Sequence, residues 1–463
     1  MSYRAFLELC GYEKDEIKNQ EKRIEKAIEK LRFGPEDFQR AEQRMKEYFD
    51  VDLLSIRKML GLWFRSLMDV VLAREEGKKL VYTMMPPLVL VQNAMTMAST
   101  DLYVTAPDIL LSYTHGAIFG NLGPILEVAE KDLLPLASMY CGGIKAKLGA
   151  ISEGILPLPD IEVASGFVCD QTPKVDEILN ERYNIPVIYI DGTLDEEKGR
   201  WAEGYERRLE YLLQEAKNAL KEFETITGCT VSDEMLEKAN LRARELRLRC
   251  KKIAELYYRA DPLPTGFNNI AALFRAANWL VNPSTYGQVE EILDLCYEEL
   301  KDRVAKGQGP LAKGAPRVAV LKVCCDPVIV DRIEKSGLAV VADNTGIITP
   351  KQENFNSKYQ DFWHQGIELF VRMGVGCPAR QVEMFRDIGL DGIILNYPVG
   401  CRDQCVGPIK VREIVGKELG VPCLLLDFDH VETRLYTADV IASRVEPFAE
   451  MLKEIKASKT ALL

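Results

Sequence analysis

Histidine is scarce in this sequence, with three in 463 residues against twelve cysteines. That shortage disfavours zinc or copper sites built on imidazole. No apolar run reaches the roughly 18 residues of a membrane span. The start, MSYRAFLELCGYEKDE, lacks the basic and apolar regions of a signal peptide. Positive charge is in deficit too. The formal charge of -11 argues against nucleic acid or an anionic membrane as the main partner. A cytoplasmic location is expected, where structural disulfides are improbable.

Several motifs are missing as well. There is no G-x4-G-K-[ST] loop, so the chain is not expected to hydrolyse ATP through a P-loop. The nearest glycine-rich stretch, GQGPLAKG (307–314), precedes its strand and carries Pro310 after the second glycine, which disfavours dinucleotide binding. No C-x2-C pair occurs, which removes zinc knuckles, thioredoxin-like dithiols and the ferredoxin run. Cys401 and Cys405 stand in C-x3-C spacing, but Pro408 occupies the place of a third cysteine in a C-x3-C-x2-C cradle.

What is present is an alternation of strand-like and helix-like stretches. Residues 1–75 are rich in Glu, Lys and Arg with apolar residues at helical spacing, which predicts an N-terminal helical segment lying as a solvated cap on the body. Strands are predicted at 78–85, 161–169 and 185–191, with helices between them. Long charged helices should fill 196–305, broken at 260–266, so a first α/β domain spans 76–305. The stretch 306–316, with three glycines and two prolines, is a linker. The alternation then restarts over RVAVLKV, LAVVADN, DGIILNY and PCLLLDFD, giving a second α/β domain over 316–463. The predicted fold class is α/β, with two doubly wound parallel-sheet domains plus the N-terminal helical segment.

Ligands of open α/β sheets bind beyond the carboxyl ends of the strands. Cys169 ends one predicted strand, Cys324 and Cys325 end another, and Cys401 and Cys405 follow a third. Cys377 sits in a turn, and Cys141 lies in YCGG, where two glycines allow a close backbone approach. Proline follows Cys169, Cys325, Cys377 and Cys405 within a few residues, at positions suited to a helix start. Each therefore lies near a helix N-terminus, where N–H groups and the dipole favour thiolate. Cys10, Cys229, Cys250, Cys296 and Cys423 have no partner motif and are expected to be small buried hydrophobes. An iron–sulfur centre built from dispersed cysteines survives this sorting.

Other residues are weighed on chemistry alone. His115, near a glycine, is a candidate proton donor, although a structural histidine is the commoner case. Lys145 and Lys147 follow Cys141 and either offset cluster charge or lie on a solvated face. Arg402 and Gln404, between two candidate ligands, are candidate donors to sulfur. His364 and His430 carry no assignment, and Asp427 and Asp429 read as a polar strand terminus.

Taken in order, KKLVYTMMPP, YCGG, GFVCDQTPKVDEILNERYNIPVIYID, FRDIGLDGIILNYPVGC and GVPCLLLDFDHVETRLYTADVIASRVEPFAEML resemble the 2-hydroxyacyl-CoA dehydratase and benzoyl-CoA reductase subunits over residues 75–460. The resemblance implies a 4Fe-4S cubane on Cys141, Cys169 and Cys401. It implies low-potential electrons from a separate ATP-hydrolysing iron–sulfur activator protein, and a homodimer or a heterodimer with a related subunit. The additional Cys325 (or Cys324), Cys377 and Cys405 are similar to the double-cubane branch. That would make six ligands for an 8Fe-9S cluster and an ATP-dependent iron–sulfur oxidoreductase acting on a small molecule. The alternatives are a one-cubane 2-hydroxyacyl-CoA dehydratase (a lyase) or aryl-CoA reductase subunit, and a non-catalytic electron carrier.

Overall fold

The computed structural model describes residues 2–83, 89–133, 140–166, 169, 171–192, 204–280, 282–321, 326–343, 359–372, 382, 385, 386, 388–398, 400, 401, 408–429 and 431–461. Two four-stranded sheets, parallel throughout, organise the chain. The first holds β1 (Lys79–Thr83), β2 (Leu102–Thr105), β3 (Ile161–Ser165) and β4 (Val187–Ile190) in the order β2-β1-β3-β4. The second holds β5 (Arg317–Leu321), β6 (Ala339–Asp343), β7 (Gly392–Asn396) and β8 (Cys423–Leu426) in the order β6-β5-β7-β8. The orders match, so the two α/β halves expected from the sequence are topological copies. In each, the chain reverses direction across the sheet between the first and third strands, the crevice where such folds take ligands.

Parallel strands covered on both faces become continuous apolar runs. GIILN of β7 and AVVAD of β6 are buried at every residue. β2 was not foreseen. Its four residues, LYVT, sit between Asp101 and a helix started by Pro107, too short a run to stand out from its surroundings.

The N-terminal helices differ from the expected cap. Leu54–Leu72 has 14 buried residues, among them Trp63, Phe64 and Leu67, and packs against the helices Pro283–Lys306, Glu21–Leu31 and Phe267–Trp279. Its sequence, LSIRKMLGLWFRSLMDVVL, is apolar around most of its circumference, as an interior helix must be. The shorter helices before it, such as Glu21–Leu31, are amphipathic and bury one stripe.

One apolar core runs from these helices through one face of the first sheet to the second sheet. A second fills the other face of the first sheet, beneath Tyr205–Thr227 and Asp233–Arg259. The helix Phe362–Arg372 lies between β6 and β7 in sequence, yet Ile367 is buried in that second core. The halves are thus interleaved by packing.

Candidate functional site

Cys141, Cys169 and Cys401 come together where the two sheets meet. Cys141 is the extended N-cap residue of the helix Gly142–Ser152. Cys169 follows the end of β3 and precedes the helix Thr172–Tyr183, whose Thr172 hydroxyl lies 3.4 Å from the Cys169 Sγ. Cys401 follows β7, and its N–H donates to Pro398 O at 2.9 Å. Two of the three therefore sit at the mouth of the third strand of their sheet, the position the strand order makes a ligand crevice.

Hydrogen bonds between side chains and backbone stitch these loops together and across the halves. The Cys141 N–H donates to Gln171 Oε1 at 3.0 Å, and Gln171 Nε2 donates to Gly400 O at 2.7 Å. The Gly142 N–H donates to Asp429 Oδ1 at 3.1 Å, which also accepts from Val431 N–H at 3.2 Å. Glycine is required twice here. A Cβ on Gly400 would stand 2.4 Å from Asp429 Oδ2 and 2.9 Å from Cys141 Cα. One on Gly142 would stand 2.7 Å from Val431 Cγ2 and 3.0 Å from Glu432 N.

Burial is the largest influence on the Cys141 thiol, which is pushed well above its ordinary pKa. The charges of Asp429, Cys169 and Cys401 push it further in the same direction. The Cys141 thiol thus feels the other two thiols and a carboxylate, and all three cysteines are half-buried. Among the described residues, no group of three or more His, Cys, Asp or Glu side chains is arranged to hold a single metal ion.

Lys145 and Lys147 are not on a solvated face. Lys145 is 4% exposed and bonds Glu432 at 2.6 Å and Glu130 at 2.9 Å, and Arg434 bonds the same two carboxylates. This four-residue network ties the helix that begins at Cys141 to the segment after β8. Lys147, 2% exposed, is ion-paired to Glu162 and Asp176. Asp429 is 6% exposed and bridges the halves, whereas Asp427 is the solvent-facing residue that pairs with Arg444. Sequence reasoning missed the role of Asp429, and with it Gln171 and Gly400. The one available signal was the position of all three beside a strand end.

Cys324, Cys325, Cys377, Cys405, Arg402, Gln404 and His430 lie outside the described residues. His115 is enclosed in an aromatic cluster with Phe33 at 4.8 Å, and Phe33 in turn stacks on Phe119 at 4.0 Å. Burial lowers its pKa to about 4, and Nδ1 has no hydrogen-bond partner. It is a neutral ring in a core. His364 bonds Asp361 and Glu210 near the surface. Cys10, Cys250 and Cys296 are buried, while Cys229 and Cys423 are half-buried. Loss of hydration raises the Cys423 thiol to about 11. No helix among the described residues is long and apolar enough to cross a membrane.

Known proteins share this arrangement of sequence. Residues 103–452 match the family model of the 2-hydroxyglutaryl-CoA dehydratase D-component. The alpha subunit of (R)-2-hydroxyglutaryl-CoA dehydratase from Acidaminococcus fermentans is 22% identical over 64% of this chain and 61% of its own length. The alpha subunit of (R)-2-hydroxyisocaproyl-CoA dehydratase from Clostridioides difficile is 21% identical over 72% of this chain and 81% of its own length. Lactoyl-CoA dehydratase subunit alpha from Anaerotignum propionicum is 22% identical over 64% of this chain and 70% of its own length. The chain thus spans less than two thirds of the first of these relatives and more of the other two. With a family model that covers most of its length, this chain belongs to the 2-hydroxyglutaryl-CoA dehydratase D-component family.

Proposed function

We propose that the chain is an iron–sulfur subunit that receives low-potential electrons from a separate ATP-hydrolysing activator and uses them on a 2-hydroxyacyl thioester. The observation that carries this reading is the convergence of Cys141, Cys169 and Cys401 between the two strand mouths, in a member of the dehydratase family. The donor set fits such a centre. Three thiols and a carboxylate face one another, and the nearby ammonium of Lys145 is already bonded to Glu130 and Glu432. Only a cationic core lets all three thiols ionise together. A cubane bound there would supply one-electron reduction at low potential.

The remaining work falls to the chain. Gln171 and Asp429 fix the two cysteine loops against each other and hold Gly400 close to Cys141. In the first turn of Gly142–Ser152 the Ile144 N–H acts on the Cys141 thiol and opposes the effect of burial, the direction that favours a thiolate at a helix N-terminus. The missing P-loop leaves ATP hydrolysis to another protein. The dimer partner implied by the resemblance accords with the relatives' description as alpha subunits.

A second reading, reduction of a small molecule at a double cubane, is favoured by one specific feature. Cys325 immediately precedes Asp326, whose side chain caps the helix Pro327–Lys335, and Cys405 stands three residues before the helix Pro408–Leu419. Iron and sulfide counts on anaerobically prepared protein decide between them. About four irons per chain supports the single cubane and about eight the double, while none overturns both. If Cys377→Ser and Cys405→Ser leave iron content and spectrum unchanged, the second reading is wrong. Turnover with activator, ATP and reductant then separates an enzyme from an electron carrier.

A further inference from the structure

Six residues into the helix that begins at Cys141, Lys147 Nζ donates to Glu162 Oε2 at 3.1 Å and to Asp176 Oδ1. Glu162 lies on β3, which leads to Cys169, and Asp176 lies on Thr172–Tyr183, which leaves it. Asp108, on the helix Pro107–Leu111, is 6% exposed and feels the charges of both Lys147 and Asp176. Every element that carries the first half's two cysteines thus passes through one buried charged group.

A structural pin needs one carboxylate for one ammonium. Here there are three carboxyl groups, and Glu162 Oε1, Asp176 Oδ2 and Asp108 Oδ1 have no hydrogen-bond partner. Buried carboxylates in excess of their counter-charge are unfavourable, and the fold relieves the excess by holding protons.

We propose that Lys147, Glu162, Asp176 and Asp108 form a proton store that takes up a proton from solvent when an electron enters the Cys141–Cys169–Cys401 centre. The inference rests on the iron–sulfur reading above. The electron comes from an external low-potential one-electron donor and stays on the centre. The proton converts one carboxylate of the group to a carboxyl, so the summed charge of centre and store is unchanged. No other bond forms or breaks.

Distance and affinity both suit this role. Six residues of helix place Lys147 about 9 Å along the axis from Cys141. Across a dry interior, charges at that range are little screened by salt. Burial, opposed by Lys147 and reinforced by Asp176, raises Glu162 to about 8. Burial raises Asp108 to about 6, and it raises Asp176 as well. Of the other facing groups, Tyr82 on β1 donates its hydroxyl to Pro157 O, and burial holds it far above its ordinary value. Tyr189 on β4, beside Asp176, is raised too. Both phenols stay neutral, which leaves the carboxyl groups to titrate.

Redox titration of the anaerobically reconstituted chain, followed by its electronic spectrum from about pH 6 to about pH 9, tests this. The midpoint potential should fall as pH rises, approaching a tenfold change in the reduction equilibrium per pH unit, or about 59 mV for one electron. The isosteric Glu162→Gln should remove most of that slope above neutral pH and Asp108→Asn most of it below. A wild-type chain that binds iron but shows a pH-independent potential overturns the store and leaves the iron–sulfur reading standing. A slope retained in both variants also overturns it. A chain that binds no iron overturns both. Should a variant fail to fold, the wild-type titration decides alone.

Discussion

Asp160 and Asp391 occupy matching places in the two sheets. Each accepts a strand N–H on its Oδ2, from Leu80 at 2.7 Å and Arg317 at 2.8 Å, and returns its own N–H to the same residue's carbonyl. Two residues on, Glu162 donates to Pro186 O and Ile393 to Pro422 O, both at 3.0 Å. Gly166 and Tyr397 then bond the ends of β4 and β8. The hydrogen-bond registers of β3 and β7 therefore match residue by residue, and Cys169 and Cys401 follow within one position of each other. The side chains beneath them do not coincide. Where the first half buries Glu162 against Lys147 and Asp176, the second buries Ile393 in an apolar core. The same strand order thus stands in the second half with no charged side chain at the matching place.

The largest test of that contrast removes the central cation. Lys147→Met leaves buried carboxyl groups without their counter-charge and should destabilise the chain by about 3–5 kcal/mol. The matching-site change Ile393→Val should cost only about 0.5–1.5 kcal/mol. Denaturant midpoints at two pH values sharpen the difference. Glu162 in the fold, at about 8, lies above its unfolded value of 4.5, so the folded chain binds more protons than the unfolded one between those values. Stability from this group is complete at low pH and declines as pH rises through about 8. The Lys147→Met penalty should therefore be greater at alkaline than at mildly acidic pH, while Ile393→Val shows no such trend. Equal pH dependence in the two variants would break the comparison.

The same contrast explains what the sequence made legible. Strands such as GIILN and RVAVL announce themselves because both faces are buried, and the strand-end rule then locates Cys169 and Cys401 without coordinates. Lys147 and Glu162 were not legible as a pair. They are 15 residues apart, on a helix and a strand, and charged residues there look like a solvated face. Asp429 and Gly400 were hidden for a similar reason. Their importance lies in contacts with Gly142 and Cys141, more than 250 residues away, that no local pattern encodes. Leu54–Leu72 was misjudged because its neighbours are highly charged, although its own residues are apolar on most sides.

A smaller effect is expected where the halves touch. Gly400→Ala places a Cβ 2.4 Å from Asp429 Oδ2 and 2.9 Å from Cys141 Cα, so the two cysteine loops must separate. Overpacking of this kind costs about 1–3 kcal/mol. Because it acts between the halves, iron retention should fall more than the denaturant midpoint does. Gly389→Ala is a control for lost glycine freedom, since Gly389 has φ +71° and nothing near its Cβ. It should lower the midpoint while leaving iron content intact. Iron loss of the same size in both variants would mean that the contact at Gly400 has no special part in holding the centre.

The smallest change in stability should come from Asp429→Asn, which keeps an oxygen to accept from Gly142 and Val431 while removing the charge. The midpoint should move by less than about 1 kcal/mol. The chemistry at Cys141 should respond more. After burial, Asp429 is the leading cause of that thiol's raised pKa, so its neutralisation lowers the value and increases the thiolate fraction at a given pH. In cluster-free protein, iodoacetamide should then label Cys141 faster in Asp429→Asn than in the parent, with little change at Cys423, which is raised by its own burial. Uniform acceleration at both cysteines would point to general loosening of the fold. An unchanged rate at Cys141 would mean that Asp429 acts on the site through its hydrogen bonds alone, and the junction of the halves would then be a matter of geometry and not of charge.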